Sequence, residues 1–297
     1  MRVNPNTAPD VLAAIAQAQQ AEAVALQQIA TGRRTNLPSD DPGAAAALVQ
    51  NHNRSDVVDQ YTQNGNTVLQ MLQTADSVLS SVVSEVSQAI SVGVQGANGT
   101  LSDSNRETLA DQVSGTLDSV VSQANMAYRG IHLFAGTATT AVPFTPDTSS
   151  PSGYQYNGNG NVNSVAIGDG FAVPVNVPGD QLFQHTGADV LGSLQQLVTA
   201  LRGGDTSVIG SATNQLRQAF DYLTQQRAFY GNVASQINSQ ESFLQSETTN
   251  IKSEENSLVG IDMAAAATNL SQAQTATQAT LAAAARVLPQ SLLDYLK

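Results

Sequence analysis

Residues 58–89, VDQYTQNGNTVLQMLQTADSVLSSVVSEVSQA, decide what kind of molecule this is. Val58, Tyr61, Gly65, Val68, Leu72, Ala75, Leu79, Val82, Val86 and Ala89 fall at alternating steps of three and four. On a helix these positions form one stripe, and a stripe sustained this long is a coiled-coil seam. A second seam lies far along the chain. Ile209, Leu216, Phe220, Leu223, Tyr230, Ile237, Leu244 and Ile251 share one register, interrupted by Thr213, Arg227, Ala234, Glu241 and Thr248. Leu109, Val113, Val120 and Ala127 mark a shorter third helix, and Val190, Leu194, Leu197, Val198 and Leu201 a fourth.

The prolines bound these arms. None lies between Pro42 and Pro143 or between Pro178 and Pro289, and five of the ten fall between those two spans. Proline breaks helix interiors, so two long helical arms flank a short non-helical insert. A helix of about fifty residues is ~75 Å long. The expected fold is therefore mainly α: an elongated rod of long antiparallel coiled-coil-like helices from both termini, with a small β-rich insert. In the insert, Ser164–Ile167 and Phe171–Val177 alternate as strands do. Asn157-Gly158 and Asp169-Gly170 are hairpin-turn signals. The expected organisation is a terminal helical assembly domain (1–32 and 260–297), a helical rod domain (33–136 and 185–259) and the insert (137–184).

Helix ends are marked. Gly32, followed by Arg33 and Arg34, suits a helix C-terminus, so the first helix spans roughly residues 8 to 31. Asp41 before Pro42 suits an N-cap followed by the first helical position of the long arm. The two terminal helices have lean seams. Leu12, Ile15, Leu26 and Ile29 keep heptad spacing with Gln19 and Glu22 intruding. Met263, Ala267, Leu270, Leu281, Ala284 and Leu288 do the same around Gln274 and Thr277. Either such helices fold only against partner molecules, or the two ends pair within one molecule. A seam broken by polar side chains favours the first. Leu12, Ile15, Leu26, Ile29, Met263, Leu270, Leu281 and Leu288 are thus the expected subunit-assembly residues. The final segment carries Leu292, Leu293, Tyr295 and Leu296, a heavy apolar load for a chain end.

Composition excludes several classes. Charged residues are 12%, about half the usual ~25%, and 24 acidic against 12 basic residues give a net charge of −12. An acidic chain without a basic cluster repels phosphate backbones and anionic lipid, so no nucleic-acid partner is expected. No apolar run approaches the ~18 residues of a membrane span, so no membrane insertion is expected. The absence of cysteine removes disulfides, Cys-ligated zinc and thiol catalysis. The opening MRVNPNTAPD lacks the pattern of a cleaved signal peptide.

No catalytic constellation emerges. His52, His132 and His185 are scattered and form no metal-ligand spacing. NGNGN (157–161) reads as a surface turn, Asp40-Asp41 as capping groups, and Tyr128, Arg129 and Phe134 as a helix end packing onto the insert. The expectation is a non-enzyme with no cofactor and no metal.

Several motifs, in order, carry a resemblance. QIATGRRTNLPSDDPGAAAAL (28–48) resembles the N-terminal signature of the flagellin superfamily, especially its hook-associated branch. ANMAYRGIHLFAGTATTAVPF (124–144), the insert segments YQYNGNGN and VNVPGDQLF, and the final SLLDYLK are similar to later parts of that branch. Gly130, Phe134, Gly136, Thr137, Pro143 and Phe144 carry much of the distinction. The resemblance implies a structural component of the bacterial flagellum, at the junction joining the hook, through the first hook-associated protein, to the flagellin filament. A filament-forming flagellin is the alternative within the superfamily, and a rod-borne adhesin or enzyme the alternative outside it. It further implies type III export without a cleaved signal, an extracellular location and self-association in a ring or short helical zone. Expected partners are the first hook-associated protein, flagellin and a cytoplasmic flagellar export chaperone. Leu292, Leu293, Tyr295 and Leu296 would bind first the chaperone and then neighbouring subunits.

Overall fold

The computed structural model describes the backbone of residues 8–295 and the side chains of 9–286. Helices α1 (Ala8–Thr31), α2 (Pro42–Gly96) and α3 (Asp103–Ala124) come first. Then follow β1 (Ala127–Tyr128), β2 (Ile131–His132), β3 (Phe144–Pro146), β4 (Tyr154–Tyr156), β5 (Ser164–Gly168) and β6 (Phe171–Pro174). A short α4 (Gly179–Phe183) precedes β7 (Gln184–His185) and β8 (Ala188–Asp189). Helices α5 (Val190–Gly203), α6 (Thr206–Val259) and α7 (Met263–Tyr295) complete the chain. Long helices from both ends thus enclose a few antiparallel strand pairs. Two compact units emerge: Val58–Gln245, and the two chain ends, up to Val57 and from Ser246 on.

In the Val58–Gln245 unit, α2 buries its seam as the spacing requires. Val58, Val68, Leu72, Ala75, Leu79, Val82, Val86 and Ala89 are all buried, and only Tyr61 is half-open. From Val68 on they share one core with Val113, Leu117 and Val120 of α3, with Leu191, Leu194, Leu197 and Leu201 of α5, and with Ile209, Leu216, Leu223, Tyr230 and Ile237 of α6. Contrary to the sequence expectation that no run approaches a membrane span, α2 has, alone among the described helices, a stretch long and apolar enough to cross a membrane. Here Val82, Val86 and Ala89 of that helix are fully enclosed by protein.

The interruptions of the α6 seam are accommodated individually. Thr213 is buried, and its hydroxyl donates to the Ile209 carbonyl at 2.7 Å, leaving no orphaned group. A Cβ on Gly93 of α2 would stand 2.4 Å from the Thr213 hydroxyl oxygen, and one on Gly96 would stand 2.2 Å from a Leu201 methyl. These two helical glycines therefore mark where α2 meets its neighbours too closely for a side chain. Arg227 reaches Asp76 with two hydrogen bonds, Nε to Oδ1 at 2.9 Å and Nη2 to Oδ2 at 3.0 Å, so it bridges α6 to α2.

The segment 137–184 shares this core and forms no continuous sheet; the eight strands among the described residues, some of them flanking this segment, pair only as two-stranded antiparallel ladders. Phe134, Phe144 and Phe183 meet edge to face, with centroids 5.4 and 5.6 Å apart. The Tyr156 hydroxyl donates to the Phe134 carbonyl at 2.9 Å, and burial pushes its pKa up to about 12. The β5–β6 hairpin turns at Asp169-Gly170, with Gly170 at a φ of 65°. Asn157-Gly158 is a different case and a correction. It follows β4, whose partner is β3, so it turns no hairpin. Gly158 is instead a close-approach residue: a Cβ there would meet the Tyr156 ring at 2.5 Å and the Ala135 carbonyl at 2.7 Å.

In the unit formed by the chain ends, α1 packs along α7. The loops that follow α1 and precede α7 are stitched together. The Arg34 amide donates to the Val259 carbonyl at 2.7 Å and the Ile261 amide to the Gly32 carbonyl at 3.3 Å. Gly32 takes a φ of 68°, which suits glycine at a helix end. Asp41 Oδ1 accepts from the Ala44 amide at 3.0 Å, capping α2 before Pro42. That hydrogen bond and the nearby Arg34 guanidinium hold the Asp41 carboxyl below its ordinary pKa. Asp262 caps α7 in the same way through the Ala264 amide at 2.8 Å.

Candidate assembly surface

The α1–α7 pair overturns the expectation that each terminal helix needs a partner molecule to fold: the two ends pair within one chain. The reason lies one column away from the predicted seams. On α1 the buried and half-buried positions are Val11, Ile15, Ala18, Glu22, Ala25 and Ile29, with Gln28 beside them. On α7 they are Ala266, Leu270, Ala273, Thr277, Thr280 and Ala284. Both rows keep heptad spacing; the α7 row consists mostly of small residues, whereas the α1 row sets Ala18 and Ala25 among Val11, Ile15, Glu22 and Ile29.

Other large apolar residues flank these rows. Leu12, Leu26, Met263 and Leu281 are 58%, 49%, 52% and 48% exposed, and Val24 is 46% exposed. Of the residues expected to form an assembly surface, Ile15, Ile29 and Leu270 therefore lie in the intramolecular seam. Leu12, Leu26, Met263 and Leu281 stand outside it. Leu288 lies outside the described side chains, as do Leu292, Leu293 and Tyr295, through which the α7 backbone runs; Leu296 lies beyond the described residues. The alanine columns were missed because a leucine outweighs an alanine in any apolar pattern. The signal that could have found them is the recurrence of alanine at 18 and 25 on one helix and at 266, 273 and 284 on the other.

The histidines are tied to local structure. His52 faces Glu255 at 3.3 Å, His132 Nδ1 lies 2.8 Å from the Asn125 carbonyl, and His185 stacks on Tyr222 with centroids 4.4 Å apart. Among the described residues, no three His, Cys, Asp or Glu side chains converge as a metal site. Tyr128 spends its hydroxyl on Gln70 at 3.0 Å while Arg129 lies over the Tyr128 ring, and Phe134 is in the core. What the terminal unit offers is therefore a surface: exposed apolar side chains on a close-packed helix pair.

Known proteins match the chain at both ends. Residues 3–139 match the bacterial flagellin N-terminal helical region, and residues 208–296 match the bacterial flagellin C-terminal helical region. Over 169 residues the chain is 31% identical to flagellar hook-associated protein 3 of Salmonella typhimurium, covering 57% of this chain and 49% of that protein. The match thus spans about half the length of that relative. A flagellin of Listeria innocua is 24% identical over 277 residues, covering 92% of this chain and 91% of that one. A solved flagellar hook-associated protein of Vibrio parahaemolyticus shares the fold with a TM-score of 0.69 at 19% identity, over 74% of this chain and all of that one. With both terminal helical regions matched in order and the same fold between them, this chain belongs to the flagellin family.

Proposed function

We propose that the chain is a structural subunit of the bacterial flagellum of the hook-associated protein 3 kind, seated between hook and filament. One observation carries this reading. The terminal helices α1 and α7 pair within one chain while Leu12, Leu26, Met263 and Leu281 face outward. Burying a leucine contributes roughly 1.5–3 kcal/mol, so an outward row of such residues stores binding free energy for neighbouring subunits. On this reading the chain associates with itself in a bounded zone, with the first hook-associated protein on one side and flagellin on the other. It leaves the cell by flagellar type III export without a cleaved signal. A cytoplasmic chaperone and then neighbouring subunits take up Leu292, Leu293, Tyr295 and Leu296. Support for the junction reading over the filament reading comes from the 31% identity to a hook-associated protein 3.

A second reading has its own observation: the Listeria flagellin aligns over nearly the whole of both chains. Electron microscopy separates the two. Purified chain is added to hooks carrying the first hook-associated protein, followed by flagellin. A junction subunit adds a short zone that stops, and flagellin elongates only after it. Unlimited growth from this chain alone would establish the filament reading instead.

A further inference from the structure

Four Asn-Gly pairs occur in the chain: Asn64-Gly65, Asn98-Gly99, Asn157-Gly158 and Asn159-Gly160. Asn-Gly is chemically special because a glycine amide nitrogen, unobstructed by a side chain, can attack the preceding Asn carboxamide. The structure treats the four very differently. In three of them the carboxamide nitrogen is committed to another segment. Asn64 Nδ2 donates to the Ala166 carbonyl at 2.9 Å, Asn157 Nδ2 to Thr145 Oγ1 at 2.8 Å and Asn159 Nδ2 to Thr137 Oγ1 at 2.8 Å. Gly65 is also locked inside α2, where its own amide belongs to the helix, and Gly158 is wedged against the Tyr156 ring.

Asn98-Gly99 is the exception. It lies in the exposed turn between α2 and α3, and nothing approaches within 4 Å of where a Gly99 Cβ would stand. Among the described residues, Asn98 Nδ2 makes no hydrogen bond, so the nitrogen that would leave faces solvent. The oxygen is held from both sides. Oδ1 accepts from the Thr100 amide at 3.1 Å and from the Thr100 hydroxyl at 2.9 Å. Two donors on a carboxamide oxygen stand where negative charge develops when its carbon is attacked.

We infer that Asn98 is a self-modification site: a spontaneous deamidation centre whose two oxyanion donors both come from Thr100. The Gly99 amide nitrogen, losing its proton to hydroxide or buffer base, bonds to Asn98 Cγ. Charge collects on Oδ1 between the two Thr100 donors. The intermediate collapses as the Cγ–Nδ2 bond breaks, and Nδ2 takes a proton from water and departs as ammonia. The resulting five-membered succinimide then adds one water at either carbonyl, giving aspartate or isoaspartate. No oxidant, metal or cofactor enters. The product places a new carboxylate just past the C-terminal end of α2, where the helix already presents its negative pole. The isoaspartate form also lengthens the backbone of this turn and shifts the Leu101 amide from its 3.2 Å hydrogen bond to the Asn98 carbonyl.

The test ages the full chain at mildly alkaline pH and maps the four pairs by peptide mass spectrometry, with isoaspartate scored by isoaspartyl methyltransferase labelling. In the folded protein Asn98 converts first. In the urea-unfolded protein the four pairs converge in rate. The Thr100→Ala variant removes one donor and slows Asn98 conversion roughly tenfold in the folded chain only, a smaller loss than the ~10²–10³ of an enclosed oxyanion hole because water partly replaces the hydroxyl. The Gly99→Ala variant, which hinders the nucleophile, slows it with or without urea. Equal rates at the four pairs in the folded protein, or a Thr100→Ala rate unchanged from wild type, would overturn the assignment.

Discussion

Helices α1 and α2 read alike as strings of three-and-four spacing, yet they place their leucines differently. In α2 the large residues, Leu72, Leu79, Val82 and Val86, are fully buried in the core of their own unit. In α1, among the described residues, Ala25 is buried, Ile15 and Ile29 are half-buried, and Leu12 and Leu26 are open. Periodicity establishes a helix, but it is the size of the inward residues that says whether the helix stabilises its own chain or holds that free energy for another.

This contrast can be broken by mutation, and the largest effect is expected in the long-helix core. Leu79→Ala should lower stability by about 2–5 kcal/mol, the range for a leucine deleted from a packed core. Hydrogen exchange in α2, α3 and α6 would show the loss. A smaller shift would mean the core can collapse around the gap. Next comes Gly93→Ala, which drives a methyl into Thr213 and Leu197. Overpacking of this kind costs about 1–3 kcal/mol, and Thr213→Ser in the same background should fail to relieve it because the hydroxyl oxygen remains.

Asp189 gives a third, smaller effect with a pH signature. It caps α5 through the Gly192 amide at 2.8 Å, and burial pushes its carboxyl pKa above the ordinary value. A raised carboxyl pKa means the folded state holds the proton more tightly than the unfolded one. Its contribution is therefore fullest below the unfolded pKa of about 3.9 and declines as pH rises through the folded value. Asp189→Ala should cost about 1 kcal/mol of capping. Asp189→Asn keeps the cap without the charge, so its stability relative to wild type should rise across that acid window in urea titrations. A flat difference would remove burial as the cause.

The smallest expected change in stability is at the terminal pair. Leu12, Leu26 and Leu281 changed together to Ser should leave thermal unfolding almost where it was, since exposed positions usually move stability by only about ±0.5 kcal/mol. The same variant should lose most of its self-association in sedimentation. A large fall in melting temperature with association intact would place these leucines in the service of the monomer.

Much of the long-helix unit was legible in advance. The α2 seam and the every-seventh-residue row from Ile209 to Ile237 are buried as the spacing implied, because a single core has only one inside and large residues define it; Phe220 of the same register is half-buried. The Asp169-Gly170 turn was legible because the flanking strands alternate on both sides. Asn157-Gly158 was misread: the same dipeptide signal arises when glycine is required for close approach to an aromatic ring. Gly93 and Gly96 were invisible as contact points, since a sequence presents a helical glycine as a weakness. The terminal pair was misjudged by one column, because spacing alone cannot say which of two adjacent apolar rows faces inward.

The Asp76–Arg227 bridge joins residues 151 apart in the chain. Closing a loop of that size carries a length-dependent entropic cost of about 4 kcal/mol, and contacts so remote in sequence slow folding. During synthesis, α2 emerges long before α6, so its row of valines and leucines has no late partner until the chain is nearly finished. Nascent chains in that condition are prone to aggregate. Fold completion is therefore deferred to the last fifth or so of translation or later. Whatever handles this polypeptide early meets a long, sticky, half-paired helix rather than a finished unit.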